Sequence, residues 1–423
     1  MIKVNSHIKN LKPSSTLVIN EKIKQLRSSD KIIYHFGFGQ SPFPIHNSIT
    51  SALKKHVNNN NYLQTLGLES LRIEISKFLK DHQGINYKSD YIFIGPGSKE
   101  LLYQTILILE GTFLIPKGSW VSYLPQIKAK NGNYEILNTL FINDFKLTAS
   151  TLEDYCSKNL GEQMSLILNS PNNPTGAVYS EEELKALAQV CKKYEIIVLS
   201  DEIYSQINFT ESYSPSISKY YPERTIVFGG LSKVFSAGGY RLGFIALPKE
   251  LYELKDMYKS LFSETFSAVA SPIQHAAISA YNYDEVLQNY VRKNSAILKI
   301  VSEYIYTKLR NVGIECTNPK GAFYMMIGFN TFKDKLNKIG IKTSIELANY
   351  LLNNYNVALL PSTDFYFQSD ELFFRLAYVD FNGEKVLNAL NNFDDSIDNF
   401  IKSNCPSIYH GTNQIMNFIN DIK

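Results

Sequence analysis

Residues 225–244 read TIVFGGLSKVFSAGGYRLGF. The opening run, TIVFGGLSK (225–233), is apolar, rich in β-branched residues and of strand length. It runs out into a serine and a lysine, and an arginine follows at 241 across a stretch dominated by glycine, serine and alanine. An apolar strand that ends in chemically active side chains is what a parallel sheet presents at its carboxyl edge, where ligands bind.

The same pattern repeats outward from this stretch. YIFIGPG (91–97), FLIP (113–116), MSLILNS (164–170) and IIVLSDEIY (196–204) all read as strands. SKELLYQTILILEG (98–111) has helical spacing and a glycine stop. SEEELKALAQVCKKYE (180–195) opens with Ser180 as N-cap and Glu183 three residues on, a capping box ahead of an apolar stripe. Strand–helix alternation predicts an α/β fold with a mostly parallel sheet flanked by helices. The polar strand ends at 97–99, 172–176, 201–204 and 232–233 would then gather at one edge.

Beyond about residue 290 the pattern changes. A long helix over roughly 285–311 precedes short strands near 321–329, 356–360 and 372–379, which suggests a smaller α+β domain. The expected division is a large domain over 45–285, a small domain from 1–44 and 286–400, and a C-terminal tail, 401–423, whose role is open. A chain of 423 residues with 44% hydrophobic content suits two domains, or one large α/β unit with an appendage. A net charge of +3 with 20% charged residues argues against a nucleic-acid or membrane-surface protein. Four scattered cysteines form no CxxC, and seven histidines show no metal-binding spacing. The N-terminus lacks a continuous apolar core, so a soluble cytoplasmic protein is expected. Arginine occurs only seven times among 43 basic residues, which favours a specific task for each.

Lys233 stands among Gly229, Gly230, Ser232, Ser236, Ala237, Gly238 and Gly239, small residues that leave room for a bound molecule. Desolvation and nearby cations keep such an amine neutral, ready to form an imine with an aldehyde. Pyridoxal phosphate is an aldehyde that makes further demands. Its phosphate needs backbone N–H groups and a fixed cation, its pyridine nitrogen a carboxylate, its phenolic oxygen donors, and its ring face an aromatic.

With these demands met in order along the chain, the sequence resembles the fold-type I pyridoxal-phosphate enzymes, specifically the class I/II aminotransferases of the aspartate aminotransferase superfamily. The likeness runs from about residue 33 to 380. SKVFSAGGYRLG resembles the family's lysine motif, which implies that Lys233 forms the aldimine and Arg241 grips the phosphate. PNNPTG (171–176) makes Asn173 the partner of the phenolic oxygen, and DEIY (201–204) gives Asp201 to the pyridine nitrogen and Tyr204 to the phenolic oxygen. GPGSKELL (95–102) resembles the phosphate loop, with Ser98 and Lys99 at a helix start, and Ser232 is a further contact. PKGSWVSY (116–123) places Trp120, the only tryptophan, on the ring. NYLQTLGLESLR (61–72) makes Tyr62 the residue that reaches a neighbouring subunit's phosphate, which implies a homodimer. FGFGQSPF (36–43) puts Gly39 near the substrate carboxylate, and FFRLAY (373–378) makes Arg375 its bidentate clamp, with Asn173 alongside.

The implied reaction transfers an amino group from an L-amino acid to a 2-oxo acid by a ping-pong mechanism, with no metal. Two departures stand out. The family usually carries a hydroxyl three residues before the lysine, where this chain has Gly230, so Ser232 or Ser236 would have to replace it. The segment KSLFSETFSAVASP (259–272) holds no arginine for a distal carboxylate, whereas Lys99 resembles the lysine of relatives that act on aspartate or prephenate. A carbon–sulfur lyase or other eliminating enzyme on the same fold remains an alternative, as does a non-catalytic binding protein that keeps the fold.

Overall fold

A computed structural model describes residues 2–29, 31–390 and 396–422. Its centre is a seven-stranded sheet built from β1 (Ile92–Gly95), β2 (Thr112–Pro116), β3 (Asn133–Leu137), β4 (Met164–Asn169), β5 (Ile197–Asp201), β6 (Thr225–Gly230) and β7 (Gly243–Ala246). The spatial order is β1-β7-β6-β5-β4-β2-β3. Only β7 runs against its neighbours. Every residue of β4, β5 and β6 is buried, as a strand covered on both faces requires. This is the α/β architecture that the alternating pattern predicts.

Two predicted strands end three residues early. β5 stops at Asp201 and β6 at Gly230, so Tyr204 and Lys233 lie on turns beyond the strand ends. The chain doubles back there, with Leu231 N–H donating to Leu242 O and Ala237 N–H to Leu231 O. The glycine-rich segment therefore leads into β7, a short strand hidden in the sequence behind it.

Helix α1 (Ser15–Arg27) lies near the N-terminus, α2 (Ser98–Ile108) follows β1, and α3 (Glu181–Lys193) follows β4. The predicted capping box is present on α3: Glu183 N–H donates to Ser180 Oγ at 3.2 Å, and Ser180 N–H to Glu183 Oε2 at 2.8 Å. Such a cap stabilises a helix by about 1 kcal/mol.

The 27-residue α4 (Glu285–Asn311) leads into a four-stranded antiparallel sheet. Its strands are β8 (Glu315–Cys316), β9 (Tyr324–Gly328), β10 (Leu360–Pro361) and β11 (Phe373–Ala377), in the order β10-β11-β9-β8. Tyr34–His35 pairs in parallel with Val357–Ala358, tying the N-terminal segment to this part of the chain. Residues 406–421 form α5 (Pro406–Asp421), which opens on a proline whose missing N–H costs nothing at that position. α5 buries Ile408, Ile415, Phe418 and Ile419 in the same cluster as Val301 and Ile305 of α4.

Candidate active site

The carboxyl ends of β1, β4, β5 and β6 open on one cavity of about 580 Å³. Gly39, Ser98, Lys99, Trp120, Asn173 and Asp201 line it, together with Tyr204, Ser232, Lys233, Arg241 and Arg375. Tyr62 is the exception among the predicted residues: it is 95% exposed and does not reach the cavity of its own chain.

Pairing register explains the grouping. Asn169, Asp201 and Phe228 are cross-strand neighbours at the ends of β4, β5 and β6. Asn169 Nδ2 donates to Asp201 O at 2.8 Å, and Asn173 N–H donates to Asn169 Oδ1 at 2.8 Å, which fixes the turn carrying Asn173. Asp201 is buried, and that burial pushes its carboxyl up to about 6. The Tyr123 hydroxyl opposes the shift by donating to Asp201 Oδ2 at 2.7 Å.

Lys233 Nζ donates to Gly39 O at 2.9 Å. Burial, reinforced by the positive charges of Arg375 and Arg241, pushes its amine down to about 8, against a smaller opposing pull from Asp201. Arg241 has a left-handed backbone, φ 50°, and its guanidinium is anchored by Gly238 O at 2.9 Å and Pro96 O at 3.1 Å. A Cβ at Gly97 would lie 2.4 Å from Arg241 Nη2, so glycine is what lets the cation meet the first turn of α2. Free N–H groups at that helix start and a guanidinium beside them make an anion cradle. Ser232 faces this cavity, whereas Ser236 Oγ is paired with Ser41 Oγ at 2.7 Å. At Gly230 a side chain has no room: its Cβ would meet Leu242 O at 2.8 Å and Gly243 Cα at 3.0 Å.

Arg375 is 1% exposed. Its Nη1 donates to Asn173 Oδ1 at 3.1 Å and its Nη2 to Gly37 O at 2.6 Å, while its buried Nε has no partner. Lys99 Nζ stands 5.1 Å from the centre of the Trp120 ring, its amine held below the usual lysine range by burial and by Arg241.

Sequence reasoning missed several cavity residues. Tyr123 and Tyr324 line it, and so do Ser14, Thr16 and Leu17 at the start of α1. Tyr123 is the last residue of the motif that carries Trp120; the others carry no signal in local spacing. Among the described residues no cluster of histidine, cysteine or acidic side chains could hold a metal. None of the helices there is long and apolar enough to cross a membrane.

A family model described as aminotransferase class I and II matches residues 31–393. An aspartate aminotransferase of Geobacillus stearothermophilus is 33% identical over 86% of this chain and 92% of its own length. A probable aspartate/prephenate aminotransferase of Rickettsia felis is 30% identical over 89% of this chain and 92% of its own. Among solved structures, an aspartate aminotransferase from Thermus thermophilus with maleate aligns with a TM-score of 0.83 at 23% identity, covering 98% of this chain and 100% of that one. At that identity the likeness speaks for the fold.

Proposed function

The chain belongs to the class I and II aminotransferases, and from that premise we propose that it moves an amino group from an L-amino acid to a 2-oxo acid with pyridoxal 5′-phosphate held at Lys233. The observation that carries this reading is the position of Lys233 Nζ, in one cavity with a buried carboxylate and two arginines. The residues present fit the cofactor. The α2 start and Arg241 suit its phosphate, Asp201 its ring nitrogen, Tyr204 and Asn173 its phenolic oxygen, and Trp120 its ring face. When bound, pyridoxal phosphate supplies an aldehyde for imine exchange and a ring that withdraws electrons from the substrate's α-carbon.

This chain's own groups do the rest. Lys233, neutral above about pH 8, is the nucleophile and then the base that moves the proton at the α-carbon. Asp201 holds the proton on the ring nitrogen. Asn173 uses its carbonyl oxygen on Arg375, which leaves its amide nitrogen as the donor toward the phenolic oxygen. Arg375, with an unpartnered Nε, takes the substrate α-carboxylate and orients the bond to be broken. Transfer in two half-reactions predicts parallel-line kinetics.

An acidic donor is the substrate class we favour, because with Lys233 given to the imine, Arg241 to the phosphate and Arg375 to the α-carboxylate, the Lys99 amine is left in the cavity lining. The exposed Tyr62 supports a homodimer with shared sites. The two-domain division at 44/45 and 285/286 is supported by the pairing of Tyr34–His35 with Val357–Ala358 and by the start of α4 at Glu285; residues 391–395 of the small domain lie outside the described residues.

Purified protein should be yellow, and borohydride should fix the cofactor on Lys233. A donor screen against 2-oxoglutarate, including aspartate, should yield the matching oxo acid and glutamate. Ammonia release without an acceptor would instead identify an eliminating enzyme, and failure to take up cofactor would identify a binding protein.

A further inference from the structure

Tyr324, at the start of β9, is 1% exposed and has no role in the chemistry described so far. Its hydroxyl lies 3.1 Å from that of Tyr204 and 3.4 Å from Gly39 O. The same carbonyl accepts from Lys233 Nζ at 2.9 Å. The face of the Tyr324 ring meets the Arg375 guanidinium, whose carbon is 4.7 Å from the ring centre. A Cβ at Gly39 would sit 2.0 Å from the Tyr324 hydroxyl oxygen, so the glycine of FGFGQSPF is demanded by this tyrosine as much as by any ligand. One side chain thus touches the phenol, the carbonyl under the lysine and the carboxylate clamp.

We infer that Tyr324 is a positioning residue, acting through Tyr204 to aim that hydroxyl's single proton into the cavity. Both phenols are held neutral by burial, so each carries one proton to donate. The Tyr204 hydroxyl, at 3.1 Å, is nearer to the Tyr324 hydroxyl than Gly39 O, at 3.4 Å, so Tyr324 donates to Tyr204, whose own proton is then free for the cofactor's phenolic oxygen. A hydroxyl that accepts one hydrogen bond donates a stronger second one. The other charged groups facing this pair are Asp201 and Arg375, and Lys233 Nζ stands 5.8 Å from the centre of the Tyr204 ring. The inference rests on the proposed use of pyridoxal phosphate at Lys233.

The test is a spectrophotometric pH titration of cofactor-loaded wild type, Tyr324→Phe, Tyr204→Phe and the double variant. Wild type must first show the pH-dependent band of a Lys233-linked cofactor, and its absence sinks the cofactor reading itself. Given that band, the phenylalanine at 324 should raise the midpoint by roughly half a pH unit, because a less stabilised phenolic oxygen holds its proton partner more tightly. Tyr204→Phe should raise it further, and the double variant should match Tyr204→Phe alone. For Tyr324→Phe, kcat should fall roughly three- to tenfold, with a smaller change in KM. An unchanged midpoint in Tyr324→Phe, or shifts that add in the double variant, overturns the inference. A far-ultraviolet spectrum and retained cofactor confirm that each variant is folded.

Discussion

The Tyr123 hydroxyl donates to Asp201 Oδ2 at 2.7 Å, across 78 residues of sequence, in a place where both side chains are buried. Asp201 would titrate higher without it, since burial raises the carboxyl and this bond lowers it. Tyr123→Phe should therefore leave more of Asp201 protonated near neutrality and weaken its hold on the ring nitrogen. We expect kcat/KM to fall roughly tenfold, the cost of one hydrogen bond to a charged acceptor at the low end of its range of about 1.5–3 kcal/mol. Its acid limb should move to higher pH. A pH–rate profile superimposable on that of wild type would contradict this role.

Lys233 offers a second pH dependence. Its amine is pushed down to about 8, so the nucleophilic form fills in as pH rises through that value. Apoenzyme mixed with pyridoxal phosphate should develop its absorbance band faster at pH 9 than at pH 7, with a midpoint near 8. Arg375 stands first among the charges that depress the amine, so Arg375→Gln should move that midpoint upward. Lys233→Ala should lack the lysine-linked band at every pH, showing only the absorbance of the free aldehyde, while still binding the phosphate through Arg241. Stopped-flow absorbance measures all three.

Glu202 is buried next to Asp201, with Ser200 Oγ donating to its Oε1 at 2.8 Å and Ser216 Oγ donating to the same atom. Burial pushes its carboxyl from 4.5 to about 7. Between those values the folded state holds a proton that the unfolded chain releases. The group's contribution to stability is therefore full below pH 4.5 and is lost as pH rises through 7, a change of roughly 3 kcal/mol. Glu202→Gln keeps an oxygen for the two serines and removes the titration. Urea unfolding of the apoenzyme at pH 5 and pH 8 should differ less in this variant than in wild type. Asp201, shifted the same way, leaves a smaller residual dependence.

The parts of this site that sequence reveals are those in which one short stretch carries its own chemical contrast. Lys233 and Arg241 interrupt a run of small residues, Asp201 ends a buried strand, and Asn173 sits in a tight turn. Tyr123 and Tyr324 have no such contrast. Their roles come from tertiary packing that sets a phenol opposite a group 78 or 120 residues away. β7 was hidden because a four-residue strand beside glycines has too little periodicity to register. α5 buries Gly411 along with Ile408, Ile415, Phe418 and Ile419, and that glycine faces Phe36 so closely that a Cβ would lie 2.6 Å from the ring. Tyr62, 95% exposed in one chain, takes no part in the lining of that chain's cavity.

Gly230, the position at which the sequence resemblance implies a hydroxyl, has no room for a side chain. The nearest atoms to a Cβ there belong to backbone, Leu242 O at 2.8 Å and Gly243 Cα at 3.0 Å, with Ile203 Cδ1 at 3.4 Å. Backbone at the start of β7 cannot swing aside as a flexible side chain would, and β7 is held on both edges by β1 and β6. Gly230→Ser should therefore place a hydroxyl there only at the cost of separating β6 from β7. Overpacking of this kind costs about 1–3 kcal/mol. Gly230→Ala should be destabilised to a similar degree, which separates the steric effect from the hydroxyl. Neither variant should bind pyridoxal phosphate more tightly, because moving Gly243 also disturbs Ser98: a Cβ on Gly243 would lie 2.5 Å from Ser98 N, so the two backbones already touch. Thermal unfolding with and without cofactor decides the matter, and a serine variant as stable as wild type with tighter cofactor binding would show that the strand has room to spare.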